Sequence, residues 1–127
     1  MIVLDASAAV LGLLAAGEAR DLMAIEDLHA PHLVDSEVTD VLRRRAIRSA
    51  DDDAAASTAV RVWARLAIHR HAVAPFANEI WSHRRNVSAY DAAYIVLAAA
   101  LGCAVVTADS RLARAPGLPC PVVVVTR

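Results

Sequence analysis

The stretch "SAYDAAYIVLAAALGCAVVTAD", residues 88–109, decides the fold of this chain. Ser88 stands three residues before Asp91, the S-x-x-D pattern with which helices start, and Gly102 stands where a helix over 88–101 has to stop. The residues that follow, "CAVVT", are a short apolar run without polar alternation, which marks a strand buried on both faces. Asp109 comes just after it. The seventeen residues between the two acids carry no charge, so Asp91 and Asp109 are set apart chemically from everything around them.

The same grammar runs outward in both directions. At the start, "MIVL" is an apolar strand and Asp5 ends it; residues 6–16 then read as a short Ala/Leu helix. "EARDLMAIEDL" reads as a second helix with Leu22, Ile25 and Leu28 on one side, interrupted at Pro31. "HLVDSEVTDVLRRRAI" has apolar residues at helical spacing, and Glu37 lies along the edge of its buried face. "DDDAAASTAVRVWARLAI" opens with three Asp and carries Arg61 and Arg65 later, the charge order that a helix dipole favours. "FANEIWSHRRN" reads as another helix after Pro75, "SRLARA" as a short turn, and "PVVVV" as a last strand. Helices alternating with short two-sided strands predict an α/β fold: a short parallel sheet flanked by helices on both faces, as one domain over residues 1–127.

Composition narrows the chemistry. The formal net charge is −1, from 13 basic and 14 acidic residues, so any polyanion has to be met locally rather than by an overall basic field. All the basic residues are Arg; without Lys there is no Walker A loop, no Schiff base and no lysine-assisted phosphoaspartate chemistry. Cys103 and Cys120 share no metal-type spacing and are expected to be small hydrophobes in a reducing cytosol, not a disulfide. The N-terminal "MIVLDASAAVLGLLAAGEA" lacks the basic start of a signal peptide, and Gly102 divides the one long apolar run, so neither export nor a membrane span is expected.

The acids carry the functional signal. In open parallel sheets ligands gather at the carboxyl ends of strands, where Asp5 and Asp109 fall. Singly each acid has an ordinary role: Asp91 in a capping box, Glu37 as a helix-dipole partner, Asp109 as a helix cap. Gathered in one crevice, four carboxylates would repel and raise one another's pKa values unless a cation sat among them. An oxygen-only set favours a hard ion, Mg²⁺ or Mn²⁺, of the kind that bridges to phosphate. Ser7 and Thr107, each two residues from an acid, can hydrogen-bond a ligand or water, or serve as turn hydroxyls. His29, His32, His69, His71 and His83 show no ligand spacing, and Trp63 and Trp81 read as core or interface.

"IVLDASAAV", "DSEVTDVLRR", "NVSAYDAAYIVLA" and "VVTADSRL", in this order and spacing, resemble the successive acidic motifs of the PIN-domain family, and within it the VapC-type toxins of bacterial toxin–antitoxin pairs. The resemblance spans nearly the whole chain. It implies a metal-dependent endoribonuclease in which Asp5, Glu37, Asp91 and Asp109 match the family's four acids, and Asn86 and Ser88 its supporting polar residues. On this reading Asp5, Asp91 and Asp109 hold Mg²⁺ directly or through water, and Glu37 orients or deprotonates the attacking water or helps hold a second ion. Arg43, Arg44, Arg45 and Arg48, and Arg84 and Arg85, are the candidate RNA-backbone contacts, with tRNA or another structured RNA as the expected substrate. The resemblance also implies a cytoplasmic protein held by a small VapB-like antitoxin. A mean hydropathy of +0.43 points to apolar surface buried in a homodimer, with "GLLAAGEARDLM" and "VRVWARLAI" as the candidate interface. Two other readings stand beside it: a catalytically silent PIN-like binding module, and a metal-dependent phosphatase, for which the chain lacks a cap insertion and a second Asp at position 7.

Overall fold

A computed structural model describes residues 1–127. Five parallel strands, β1 (Ile2–Leu4), β2 (Leu28–Pro31), β3 (Ile68–His71), β4 (Val105–Thr107) and β5 (Val122–Val124), lie in the order β3-β2-β1-β4-β5. The connections are α1 (Ala6–Leu14), α2 (Glu18–Ile25), α3 (Val34–Ala46), α4 (Ala50–Trp63), α5 (Ala77–Ser82), α6 (Ala89–Leu101) and α7 (Ser110–Ala113). The chain steps from β1 outward to β2 and β3, then crosses back over the sheet to β4 and on to β5. Because parallel crossovers are right-handed, this reversal puts α1–α4 on one face and α5–α7 on the other. It also creates a topological switch point between β1 and β4, and a crevice opens there at the strands' carboxyl ends.

The central strands are short because they need only cross the core: Val3, Leu4, Val105 and Val106 are buried outright. Helix α6 buries every residue from Ala92 to Ala98, which explains its charge-free sequence. Ser88 caps its start by accepting from the Asp91 N–H at 3.1 Å, and Gly102 ends it at φ 69°, a left-handed conformation that an L side chain resists. Helix α3 sends Val34, Val38 and Leu42 inward at helical spacing. Asp35 on α3 accepts from Trp63 Nε1 of α4 at 2.9 Å and from Arg70 Nε of β3 at 2.7 Å, tying two helices to the edge strand. No helix is long and apolar enough to cross a membrane.

Two strands depart from the sequence reading. Leu28, expected to close the second helix, instead opens strand β2, which runs to Pro31, and Ile68, expected to end the fourth helix, opens β3. Helix α2 stops at Ile25, whose side chain is exposed rather than on a buried stripe. Helix α2 instead buries Ala19, close against α1: a Cβ on Gly12 would stand 3.3 Å from the Ala19 carbonyl carbon. The helix expected over 76–86 is a 3₁₀ turn at Ala74–Phe76 followed by the shorter α5. Cys103 and Cys120 are free and half-buried, Trp63 lies in the core, and Trp81 is exposed with Arg84 stacked 4.9 Å from its ring centre.

Candidate active site

Four acids reach the switch-point crevice from four separate elements. Asp5 leaves β1 and caps α1, its Oδ1 accepting from the Ala8 N–H at 2.9 Å and from Ser7 Oγ at 2.7 Å. Asp109 leaves β4 and caps α7, accepting from the Arg111 N–H at 2.9 Å. Glu37 and Asp91 stand in the first turns of α3 and α6. Together they line a cleft of about 660 Å³ with Ser7, Asp40, Arg44, Arg45, Tyr94 and Arg111 among its walls. The capping roles available to the single acids are therefore filled at Asp5 and Asp109, and the same carboxylates still face the cleft.

The two strand ends are stitched together beneath it. Ala108 N–H donates to Ser7 Oγ at 2.9 Å, Ser7 Oγ lies 3.2 Å from Thr107 Oγ1, and Asp109 N–H donates to Thr107 Oγ1 at 3.0 Å. Thr107 is wholly buried, so its hydroxyl has to be satisfied internally, and here it fixes the loop that carries Asp109. Asn86 and Ser88 border a smaller recess of about 310 Å³ that they share with Asp91, Asp109 and Arg111.

The charges are unbalanced within the cleft. Burial pushes the Asp5 carboxyl up from its ordinary range, and the neighbouring Asp91 adds to the effect. Glu37 is raised by burial and then by Asp5 and Asp91; Asp91 is raised by burial and then by Asp109. Asp109 alone is held low, by the side chain of Arg111, whose Nη2 lies 3.1 Å from its Oδ2. Glu37 is offset differently: the Tyr94 hydroxyl donates to its Oε1 at 2.5 Å, and burial beside that carboxylate pushes the phenol far above its usual pKa. An all-oxygen donor set whose members raise one another's pKa fits a hard divalent cation, which would supply the missing positive charge.

Of the expected RNA contacts, Arg44 and Arg45 line the cleft, with Arg44 paired to Asp40 at 3.5 Å; Arg43, also paired to Asp40, at 3.0 Å, and Arg48, Arg84 and Arg85 do not border it. Tyr94 and Arg111 escaped the sequence reading. Both are close in sequence to an acid, Tyr94 one helical turn after Asp91 and Arg111 two residues after Asp109, and that spacing was the available signal. His29 and His69, without ligand spacing in the sequence, are brought beside Asp27 by the pairing of β2 with β3.

Topology and cleft define a small α/β domain with an acidic switch-point site, and comparison with known proteins gives it a family. The PIN domain profile matches residues 2–118. Ribonuclease VapC9 of Mycobacterium tuberculosis is 51% identical over 127 residues, covering 100% of both chains. Ribonuclease VapC1 of the same organism is 39% identical over 125 residues, covering 94% of each. The crystal structure of Mycobacterium tuberculosis VapC20, described as a sarcin–ricin loop cleaving toxin, superposes with a TM-score of 0.64 at 22% identity, covering 93% of this chain and 96% of that one, a likeness of fold. The chain belongs to the PIN-domain family, and its full-length likeness to the VapC ribonucleases makes it a nuclease.

Proposed function

We propose that this protein is a Mg²⁺-dependent endoribonuclease, the toxin of a toxin–antitoxin pair, that hydrolyses phosphodiester bonds in tRNA or another structured RNA. The observation that carries this reading is the convergence of Asp5, Glu37, Asp91 and Asp109, from four elements, on one cleft that also presents Arg44, Arg45 and Arg111. Acids alone would repel RNA. Three guanidinium groups stand at the same opening, Arg44 and Arg111 paired with Asp40 and Asp109 and Arg45 in no ion pair, so that the phosphates find a local partner despite a net charge of −1.

Asp5, Asp91 and Asp109 are the side chains that would hold Mg²⁺, with Mn²⁺ as a substitute; when bound, the ion supplies positive charge to the phosphate as negative charge develops there. Glu37 takes the proton of the attacking water, and burial helps by keeping its carboxyl more basic than usual. Tyr94 holds Glu37 in one orientation. The water oxygen attacks phosphorus in line, the bond to the 3′ oxygen breaks, that oxygen takes a proton from solvent water, and the products carry 5′-phosphate and 3′-hydroxyl ends. Ser7 and Thr107 keep the Asp5 and Asp109 loops in register, and Asn86 and Ser88 support Asp91 from the adjoining recess.

Exposed apolar side chains support the partner reading. Ile25, Val60 and Val62 are exposed, and a shallow recess of about 370 Å³ lined by Gly12, Leu13, Met23 and Leu66 runs between the helices that carry them. That apolar ground suits a homodimer, and a VapB-like antitoxin is the partner that would cover the cleft in the cytoplasm.

The test is Asp91→Asn. Asparagine keeps the N–H that Ser88 caps but removes a cation-holding charge, so Mg²⁺-dependent cleavage of total RNA should fall by at least ~100-fold with an unchanged circular dichroism spectrum. EDTA should abolish the wild-type activity. Near-normal cleavage by the variant would remove Asp91 from the site and leave it a capping residue.

A further inference from the structure

We propose a second metal site, for a zinc-class divalent ion, built by Asp27, His29 and His69 at the end of the sheet opposite the acidic cleft. The acids stand after the carboxyl ends of β1 and β4, whereas Asp27 precedes β2 and His69 lies early in β3. None of the three borders the acidic cleft. The two sites therefore share no ligand.

Strand register makes the cluster. β2 and β3 are parallel with His29 opposite His69 and Pro31 opposite His71. Side chains two residues apart share a sheet face, so Asp27 and His29 project from one strand on the same side as His69 and His71 from the next. Arg70, between the two histidines, points the other way and pairs with Asp35. Both imidazoles then meet one carboxylate: His29 Nε2 is 3.0 Å from Asp27 Oδ2, and His69 Nε2 is 2.9 Å from Asp27 Oδ1. The ligand atoms of the three residues all lie within 4.8 Å of one another. Tetrahedral zinc, with bonds of about 2.0–2.1 Å, separates its ligand atoms by about 3.3 Å, a spacing between the 2.9 and 3.0 Å of the Asp27 contacts and the 4.8 Å that bounds the set.

The outer partner is also in place. His29 Nδ1 lies 2.9 Å from His71 Nε2, which can accept the Nδ1–H and so leave the Nε2 lone pair of His29 directed at the ion. The rings of His29 and His69 stack with centres 4.6 Å apart, which keeps both from rotating freely. His29 is buried, while Asp27 and His69 are more than half exposed, giving an ion an entry path and a fourth position open to water. Two imidazoles and one carboxylate select Zn²⁺, Co²⁺ or Ni²⁺ over Mg²⁺, the reverse of the all-oxygen cleft. Bound there, the ion would clamp edge strand β3 to β2.

The probe is Zn²⁺ itself, titrated calorimetrically in excess Mg²⁺ that saturates the acidic cleft, with Co²⁺ as a spectroscopic substitute. The full chain should take up a single equivalent of Zn²⁺ with release of protons, gain melting temperature, and give the intense visible bands of tetrahedral Co²⁺. His69→Ala and Asp27→Asn change exposed side chains, so both should fold as the parent does in metal-free buffer while losing the Zn²⁺ equivalent and the Co²⁺ bands. His71→Ala should weaken binding by ~10–100-fold, the range for loss of an outer-shell partner. His83→Ala, outside the cluster, should bind as the parent does. Unchanged Zn²⁺ uptake in both ligand variants, or no uptake by the parent at micromolar metal, would overturn the proposal and leave the cluster a proton-filled hydrogen-bond network.

Discussion

Replacing Tyr94 by Phe tests how Glu37 is held. The substitution removes one oxygen and keeps the buried ring, so packing of α6 is preserved and the lost hydrogen bond is isolated. A hydrogen bond to a charged group is worth about 1.5–3 kcal/mol, and Glu37 is half-buried, so water replaces the phenol only in part. The unfolding entropy of a chain of 127 residues at about 2.1 cal/mol/K per residue is about 270 cal/mol/K, so the melting temperature should drop by about 6–11 °C. The size should depend on pH. Tyr94 lowers the Glu37 pKa against the larger upward effect of burial. Above its folded pKa, Glu37 is ionised and the full loss is seen; below it the bond joins two neutral groups and the loss shrinks to about 0.5–1.5 kcal/mol. With the donor gone, the Glu37 pKa rises further and the acidic limb of the kcat/KM profile moves to higher pH. Calorimetric melting at neutral and mildly acidic pH, beside a pH–rate profile, measures both effects. A destabilisation equal at the two pH values, together with an unmoved acidic limb, would refute the assigned bond.

Three further outcomes are expected. Asp5, Glu37 and Asp91 have folded pKa values above their unfolded ones, so the folded chain holds more protons in the window between those values, and metal-free stability should fall as pH rises through it. Asp35, lowered by Arg70, acts oppositely: its contribution is present above the ordinary Asp value and is lost as pH falls through its lowered one. Melting scans between about pH 4 and 8 should therefore show a mildly acidic optimum, and Mg²⁺ should stabilise most at the neutral end; no Mg²⁺ effect there would argue against a shared cation site. Gly12→Val should destabilise by about 1–3 kcal/mol in urea melts, because even a Cβ would stand 2.4 Å from Met23 Sδ and 3.2 Å from the Arg20 backbone nitrogen.

The sequence by itself determined the α/β class, the strands before Asp5 and Asp109, and the buried helix between Ser88 and Gly102. These are local signals. A β-branched run, a cap or a glycine stop acts within a few residues, and each acid sits at the end of such an element. The strands at Leu28–Pro31 and Ile68–His71 were not legible, because "LHAP" and "IHRH" lack a strand-like composition and are strands only through pairing with β1 and with each other. Tertiary structure alone decided what those pairings bring together. The Tyr94 hydroxyl meets Glu37 across 57 positions of sequence, and His29 meets His71 across 42. No local pattern encodes such contacts, since they depend on strand order and register, which are fixed when separate elements bury their apolar faces against one another.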